Sequence, residues 1–175
     1  MSGEKTVYSA RWITVTAVLT AMNVVMSSFG LTVPGGHLYL NDVIICFAAL
    51  LLDPLGAFCV GGVGAFLGDL FFYPTPMFVS LVTHGLQAVV ISLCARRLWK
   101  TKPVAASWVG VALGAVIMVT GYSLGRAFLY STPAYALLKL PYQILQAVAG
   151  AAAGMLLRWK VPVLAKLVQE QLNEK

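Results

Sequence analysis

Residues 34–69 read PGGHLYLNDVIICFAALLLDPLGAFCVGGVGAFLGD. A polar, glycine-hinged loop runs directly into the apolar run 43–52. Asp53-Pro54 interrupts that run, and a glycine-studded apolar run, 55–67, closes on Gly68-Asp69. Apolar runs this dense belong at membrane depth. A plain membrane anchor has no need of His37, Tyr39, Asn41 and Asp42 at the mouth of one. The stretch implies a loop that closes over a small polar solute, held at the outer side of a helical bundle.

The rest of the chain agrees with a bilayer setting. It has 175 residues, of which 59% are hydrophobic and 10% charged, with a mean hydropathy of +0.84. Soluble domains carry about 25% charged residues, so this surface is not built to face water. The net charge of +6 does not mark a nucleic-acid binder, because the basic residues neither stripe one helix nor alternate with aromatics. They gather at span ends, as topology signals do. Cys46, Cys59 and Cys94 all lie inside apolar runs with no C-x-x-C spacing, which argues against metal sites and disulfides and for small buried side chains.

Six spans are expected, near 12–29, 41–52, 55–72, 77–95, 104–122 and 135–157. Together they form an all-α, compact membrane domain over 11–158, after a short polar lead, 1–10. The first apolar run is long enough to span, so it reads as a retained helix rather than a cleaved signal. Asp53-Pro54 separates the second span from the third, because proline disfavours helix in the residue before it and fits a first helical turn. The tail 159–175 has apolar residues at helical spacing. It reads as a cytoplasmic amphipathic helix, lying on the membrane or docking on a partner.

The basic residues set the orientation. With the N-terminus in the cytoplasm, Lys5, Arg11, Arg96, Arg97, Lys100, Lys102, Arg158, Lys160, Lys166 and Lys175 fall inside. Arg126 and Lys139 fall in the outer half. The reversed topology inverts that ratio, so the expectation is N-in and C-in, in a prokaryotic plasma membrane. The loop 30–40, the turn 73–76 and the segment 123–134 then meet on the outside.

In that topology the polar residues at membrane depth are lopsided. His37, Tyr39, Asn41, Asp42, Asp69, His84, Gln87, Tyr122, Arg126, Tyr130, Lys139, Tyr142, Gln143 and Gln146 all belong to the outer half. Such groups are costly in a bilayer and face a cavity or a partner, so a water-accessible pocket accounts for them together. Ordinary readings stand beside the functional ones. Asn41 and Asp42 also suit a helix N-cap, His84 a hydrogen-bonded core histidine, and Arg126 a side chain snorkelling to headgroups. His84 and Gln87, and likewise Gln143 and Gln146, lie three apart and share a helix face. Ala17 and Ala21 are small residues one turn apart, a spacing that lets another helix approach closely. No phosphate loop, H-E-x-x-H, metal cluster or G-x-S-x-G is present in the sequence, so the chain reads as a binding subunit that draws its energy from elsewhere.

Over about residues 10–158 the sequence resembles the S components, the substrate-binding membrane subunits of energy-coupling factor (ECF) vitamin transporters, and within them the riboflavin-like group. Four features carry the resemblance: A-x-x-x-A at 17–21; PGGHLYLNDV followed by DPLGA; GGVGAFLGDL at 61–70; and IMVTGY-x-L-x-R-x-x-LY at 117–130 with LPYQILQ at 140–146. The resemblance implies six helices and a pocket on the outer side under the first loop. It implies a partner assembly of one membrane coupling subunit and two ATPases, which hydrolyse the ATP while this chain binds no cofactor and performs no catalysis. Ala17 and Ala21 would meet the coupling subunit, and transport would proceed by toppling of the whole subunit. The sequence departs from the nearest group, where the Arg126 position is often acidic, the His84 position often Lys and the Gln87 position often Glu.

The expected substrate site is therefore His37, Tyr39, Asn41, His84, Gln87, Tyr122, Arg126, Tyr142, Gln143 and Gln146, with no metal. A neutral heteroaromatic vitamin or precursor, such as pyridoxine or hydroxymethylpyrimidine, suits many donors and few charges. The alternatives are another vitamin (cobalamin, pantothenate or riboflavin), or a non-transport membrane scaffold, which explains the small-residue faces but not the outer polar cluster.

Overall fold

The computed structural model describes residues 9–34 and 36–173. The lead with Lys5, Gly35 and the chain end with Lys175 lie outside the described residues. Within them the chain is an all-α membrane protein apart from one small hairpin. In chain order the elements are α1 (Ala10–Ser27), β1 (Gly30–Val33), β2 (Gly36–Tyr39), α2 (Asn41–Ala49), α3 (Pro54–Phe72), α4 (Met77–Arg97), α5 (Pro103–Tyr130), α6 (Pro133–Lys160) and α7 (Pro162–Asn173). Helices α1, α3, α4, α5 and α6 are long and apolar enough to cross a membrane.

The segment expected as the second span is not among those five. Helix α2 has nine residues, about 14 Å at 1.5 Å per residue, against a hydrocarbon core of about 30 Å. Eight of the nine are buried. It is a core helix wrapped by the others, which is why it tolerates Asn41 and Asp42 in its first turn. Its closest neighbour is α6, where Gly150 and Gly154 leave room. A Cβ on Gly150 would stand 2.4 Å from the Cβ of Asp42, and one on Gly154 2.6 Å from that of Cys46.

The break after α2 leaves the backbone carbonyls of the buried Leu51 and Leu52 free of helix bonds, and each needs a partner. Arg96 donates to the carbonyls of Leu52 (Nε, 3.0 Å) and Leu51 (Nη2, 2.8 Å). Ser92 Oγ also donates to Leu52 O, at 2.7 Å. Asp53 caps α3, accepting from Leu55 N at 3.3 Å, with Pro54 in the first turn. Its other oxygen accepts from Trp12 Nε1 at 2.6 Å, which ties the start of α1 to the break.

The loop after α1 is an antiparallel hairpin, with Gly30 opposite Tyr39 and Thr32 opposite His37. Gly36 sits at φ +139°, a conformation open to glycine and strained for other residues. Helices α3 and α5 each contain a π-helical turn, at Cys59–Val63 and Arg126–Tyr130. The second of these carries the fifth helix beyond its expected end near 122, and α6 begins directly after the turn that follows. The tail helix α7 folds back onto its own chain. Ala165 is buried in a cluster with Leu19, Ile44 and Phe47, and Leu157, Val168 and Leu172 pack against it.

Candidate solute-binding site

A cavity of about 320 Å³ opens between the hairpin and the adjoining ends of α2, α3, α4, α5 and α6. Eight of the ten expected residues line it: His37, Tyr39, Asn41, His84, Tyr122, Arg126, Gln143 and Gln146. Two do not. Gln87 is buried one layer below, and Tyr142 is half-buried outside the lining. Their helices are correctly placed, but Gln87 points at Asp42 of α2 rather than the hollow, and Tyr142, one turn before Gln146, sits at the edge of the lining face and outside the cavity.

Below the cavity, one carboxylate organises three helices. Gln87 Nε2 donates to Asp42 Oδ1 at 3.1 Å, and Gln146 Nε2 donates to Asp42 Oδ2 at 2.6 Å. Asp42 is therefore an acceptor for amides from α4 and α6. Leu40, not Asn41 or Asp42, is the N-cap of α2, and it makes no side-chain cap bond. The orientation of Gln87 leaves its Oε1 for His84 Nδ1, which donates at 2.6 Å. His84 thus carries its proton on Nδ1 when neutral, and Nε2 makes no hydrogen bond within the described chain. His84 is at once a core histidine and part of the cavity wall, with its ring 5.2 Å from that of Tyr122, edge to face.

Two bonds fasten the hairpin over the hollow. Tyr39 N–H donates to Gln146 Oε1 at 3.0 Å, and the Lys139 ammonium donates to the His37 carbonyl. Gln146 therefore joins the hairpin to Asp42 with a single amide. Burial, with Asp69 nearby, pushes the Tyr39 phenol up to about 12, so this hydroxyl remains protonated at every physiological pH.

The far wall comes from α3, α4 and α5. Ser80 Oγ donates to Asp69, and Tyr122 Oη lies 2.5 Å from Ser80 Oγ, so the phenol donates to the serine. The π turn of α5 delivers Arg126 and Tyr130 to the same hollow, in keeping with the frequent use of π turns at functional sites. Arg126 Nη1 donates to Gln143 Oε1 at 2.9 Å, and the guanidinium lies 5.6 Å from the centre of the Tyr130 ring. Gln143 Nε2 in turn donates to Val119 O at 2.9 Å. Arg126 thus turns into the cavity instead of snorkelling to headgroups.

Asp69, Tyr73, Tyr130, Tyr135 and Lys139 also line the cavity and were not among the ten. Asp69, Tyr130 and Lys139 belong to the polar set of the outer half, so the signal was present. Tyr73 resembles an interfacial anchor in sequence and becomes a lining residue only because the 73–76 turn folds under the hairpin, where its ring lies 6.3 Å from that of His37.

Ala17 and Ala21 lie elsewhere. Both are exposed, in a shallow apolar groove on α1 with Thr16, Thr20, Val24, Cys59 and Leu67, which shares no residue with the cavity.

The sequence matches the family described as "ECF-type riboflavin transporter, S component" over residues 7–162. It is also 31% identical over 119 residues to an "Uncharacterized protein in gap 3'region" of Pyrococcus woesei, an alignment covering 68% of this chain and 78% of that one.

Proposed function

The chain belongs to the family of ECF-type riboflavin transporter S components, and from that premise we propose that it captures a water-soluble vitamin or vitamin precursor in the cavity beneath the hairpin. It then carries the solute inward with an ATP-driven coupling module. The observation that carries this reading is the hollow itself: about 320 Å³, roofed by Gly36, His37 and Tyr39 of the hairpin and walled by tyrosines and a few fixed polar groups. Small-molecule sites share that make-up. The volume lies at the small end of such sites, about 300–1,000 Å³, and favours one compact ring system. Pyridoxine and hydroxymethylpyrimidine fit that description, and the family's name adds riboflavin to the candidates.

In this reading the N- and C-termini are cytoplasmic, α2 is the sixth membrane-embedded segment, and the hairpin faces the outside of the cell membrane. Solute enters past the hairpin, which then closes through Gln146 and Lys139. Ala17 and Ala21 meet the membrane coupling subunit, and two partner ATPases hydrolyse ATP, since the chain itself is a binding subunit and not an enzyme. The test is calorimetric titration of the purified chain in lipid nanodiscs with pyridoxine, hydroxymethylpyrimidine, riboflavin, pantothenate and cobalamin. One of them is expected to bind more tightly than about 1 μM, a free energy of about −8 kcal/mol. Binding by none of them, nor by the acid-bearing vitamins of the panel below, overturns the proposal.

A further inference from the structure

The charges around the cavity do not cancel locally. Arg126 and Lys139 both line it, and Lys139 is only 3% exposed. Neither has a carboxylate oxygen within ion-pair distance among the described residues. Arg126 donates to a neutral amide and Lys139 to a backbone carbonyl. The two nearby carboxylates are committed elsewhere. Asp42 accepts from Gln87 and Gln146, and Asp69 from Ser80. A buried cation without a counter-ion is costly, and one kept at membrane depth marks a site.

The Tyr130 hydroxyl, buried in the same wall without a partner, can donate or accept, but two further unpaired groups are acceptors. Asn41 Oδ1 is buried without a hydrogen-bond partner, on a residue 5% exposed that lines the cavity. His84 Nε2 is a free acceptor while the ring is neutral, as its Nδ1–H is held by Gln87. One part of the wall therefore lacks an anion, and another lacks an N–H or O–H donor.

From this we infer that the solute carries a carboxylate or comparable anionic group, bound by Arg126 and Lys139, together with at least one N–H or O–H that reaches Asn41 or His84. The guanidinium fork suits a planar carboxylate, and the ammonium adds a second charge-assisted bond. The inference rests on the solute-binding reading above and narrows it, moving the preferred substrate from neutral vitamins to acid-bearing ones.

The experiment uses matched acid and uncharged pairs on the full chain in nanodiscs: nicotinate with nicotinamide, pantothenate with pantothenol, biotin with its methyl ester, and 4-pyridoxate with pyridoxine. The tightest ligand is expected to be an acid that binds about tenfold or more tightly than its uncharged partner, the scale of one charge-assisted hydrogen bond. Arg126→Gln should reduce that preference to less than about threefold, while Arg126→Lys, which keeps the charge but loses the fork, falls between Arg126→Gln and the wild type. Thermal unfolding of each variant checks the fold. Should Arg126→Gln not fold, the wild-type pairs together with Lys139→Gln decide. An uncharged compound as the tightest ligand, or an acid preference untouched in a folded Arg126→Gln protein, overturns this inference and leaves the solute-binding reading standing. Binding by no member of this panel or of the vitamin panel above removes both.

Discussion

The two ends of α2 contain one arginine problem solved in two ways. At its C-terminal end, the Asp53-Pro54 break frees the carbonyls of Leu51 and Leu52, and Arg96 spends its donors on them, with Ser92 in support. At its N-terminal end, Arg126 stands beside a hollow with most of its donors unspent, near an ammonium that is equally short of an anion. The first arginine completes the fold. The second is kept incomplete by the fold. Residue type is the same in the two cases, so the distinguishing mark of a site is whether the chain itself supplies the partner.

The harshest way to break this contrast is to wedge α2 away from α6, since α2 connects both ends. A Cβ at Gly150 already meets Asp42 at 2.4 Å, and Gly150→Val adds two methyl groups to it. The expected cost exceeds about 3 kcal/mol. Size-exclusion chromatography and thermal unfolding should show loss of the folded monomer, and a stable variant that still binds solute would mean that the two ends are independent.

Next in size is a change that touches neither end. Ala17→Trp with Ala21→Trp fills the α1 groove, which shares no lining residue with the cavity. Uptake by cells carrying the coupling module should fall about tenfold or more, as expected for a blocked helix–helix contact, while the affinity of the isolated chain stays unchanged. Unchanged uptake would remove the groove from the transport cycle.

The direct test of the comparison follows. Arg96→Ala leaves the Leu51 carbonyl without its donor and the Leu52 carbonyl with Ser92 alone, and should cost about 2 kcal/mol of stability, read as a lower unfolding midpoint with solute affinity intact. A large loss of affinity without loss of stability would dissolve the distinction between the two arginines.

The smallest effect concerns pH. The Tyr39 phenol is held at about 12, above its ordinary value of 10. A raised value means that the folded state binds this proton more tightly. Its contribution is complete below pH 10 and is lost as pH climbs towards 12. The difference in unfolding midpoint between wild type and Tyr39→Phe should therefore be flat from pH 7 to 9 and shrink above 10. A change already visible at pH 8 would contradict the burial of this hydroxyl.

Much of the fold could be read along the chain. Apolar runs, the Asp53-Pro54 step and the glycine clusters mark the segments, and the polar set expected in the outer half contains eleven of the eighteen cavity residues. The reading faltered where it had to choose faces. Gln87 belongs to the right helix but points at α2, and Tyr142 lies just outside the lining, while Lys139 and Asp69 line the hollow. In a soluble helix the apolar stripe identifies the inner face. In a bilayer, lipid and core are both apolar, so the stripe fades and packing chooses the face. The docking of the hairpin was equally hidden, since it is held by Lys139 and Gln146, more than 100 residues from the His37 and Tyr39 backbone groups they bind.

What the sequence determined by itself is the solvent of the chain and the lopsided placement of its polar groups. Both follow from composition and order, because transferring apolar surface and burying charge depend on residue type alone. Only the tertiary structure decided that α2 is a short buried core helix and that Arg96 finds carbonyls while Arg126 does not. Whether a buried polar group is satisfied depends on what neighbouring helices place within about 3 Å of it, and no single stretch of sequence contains that information.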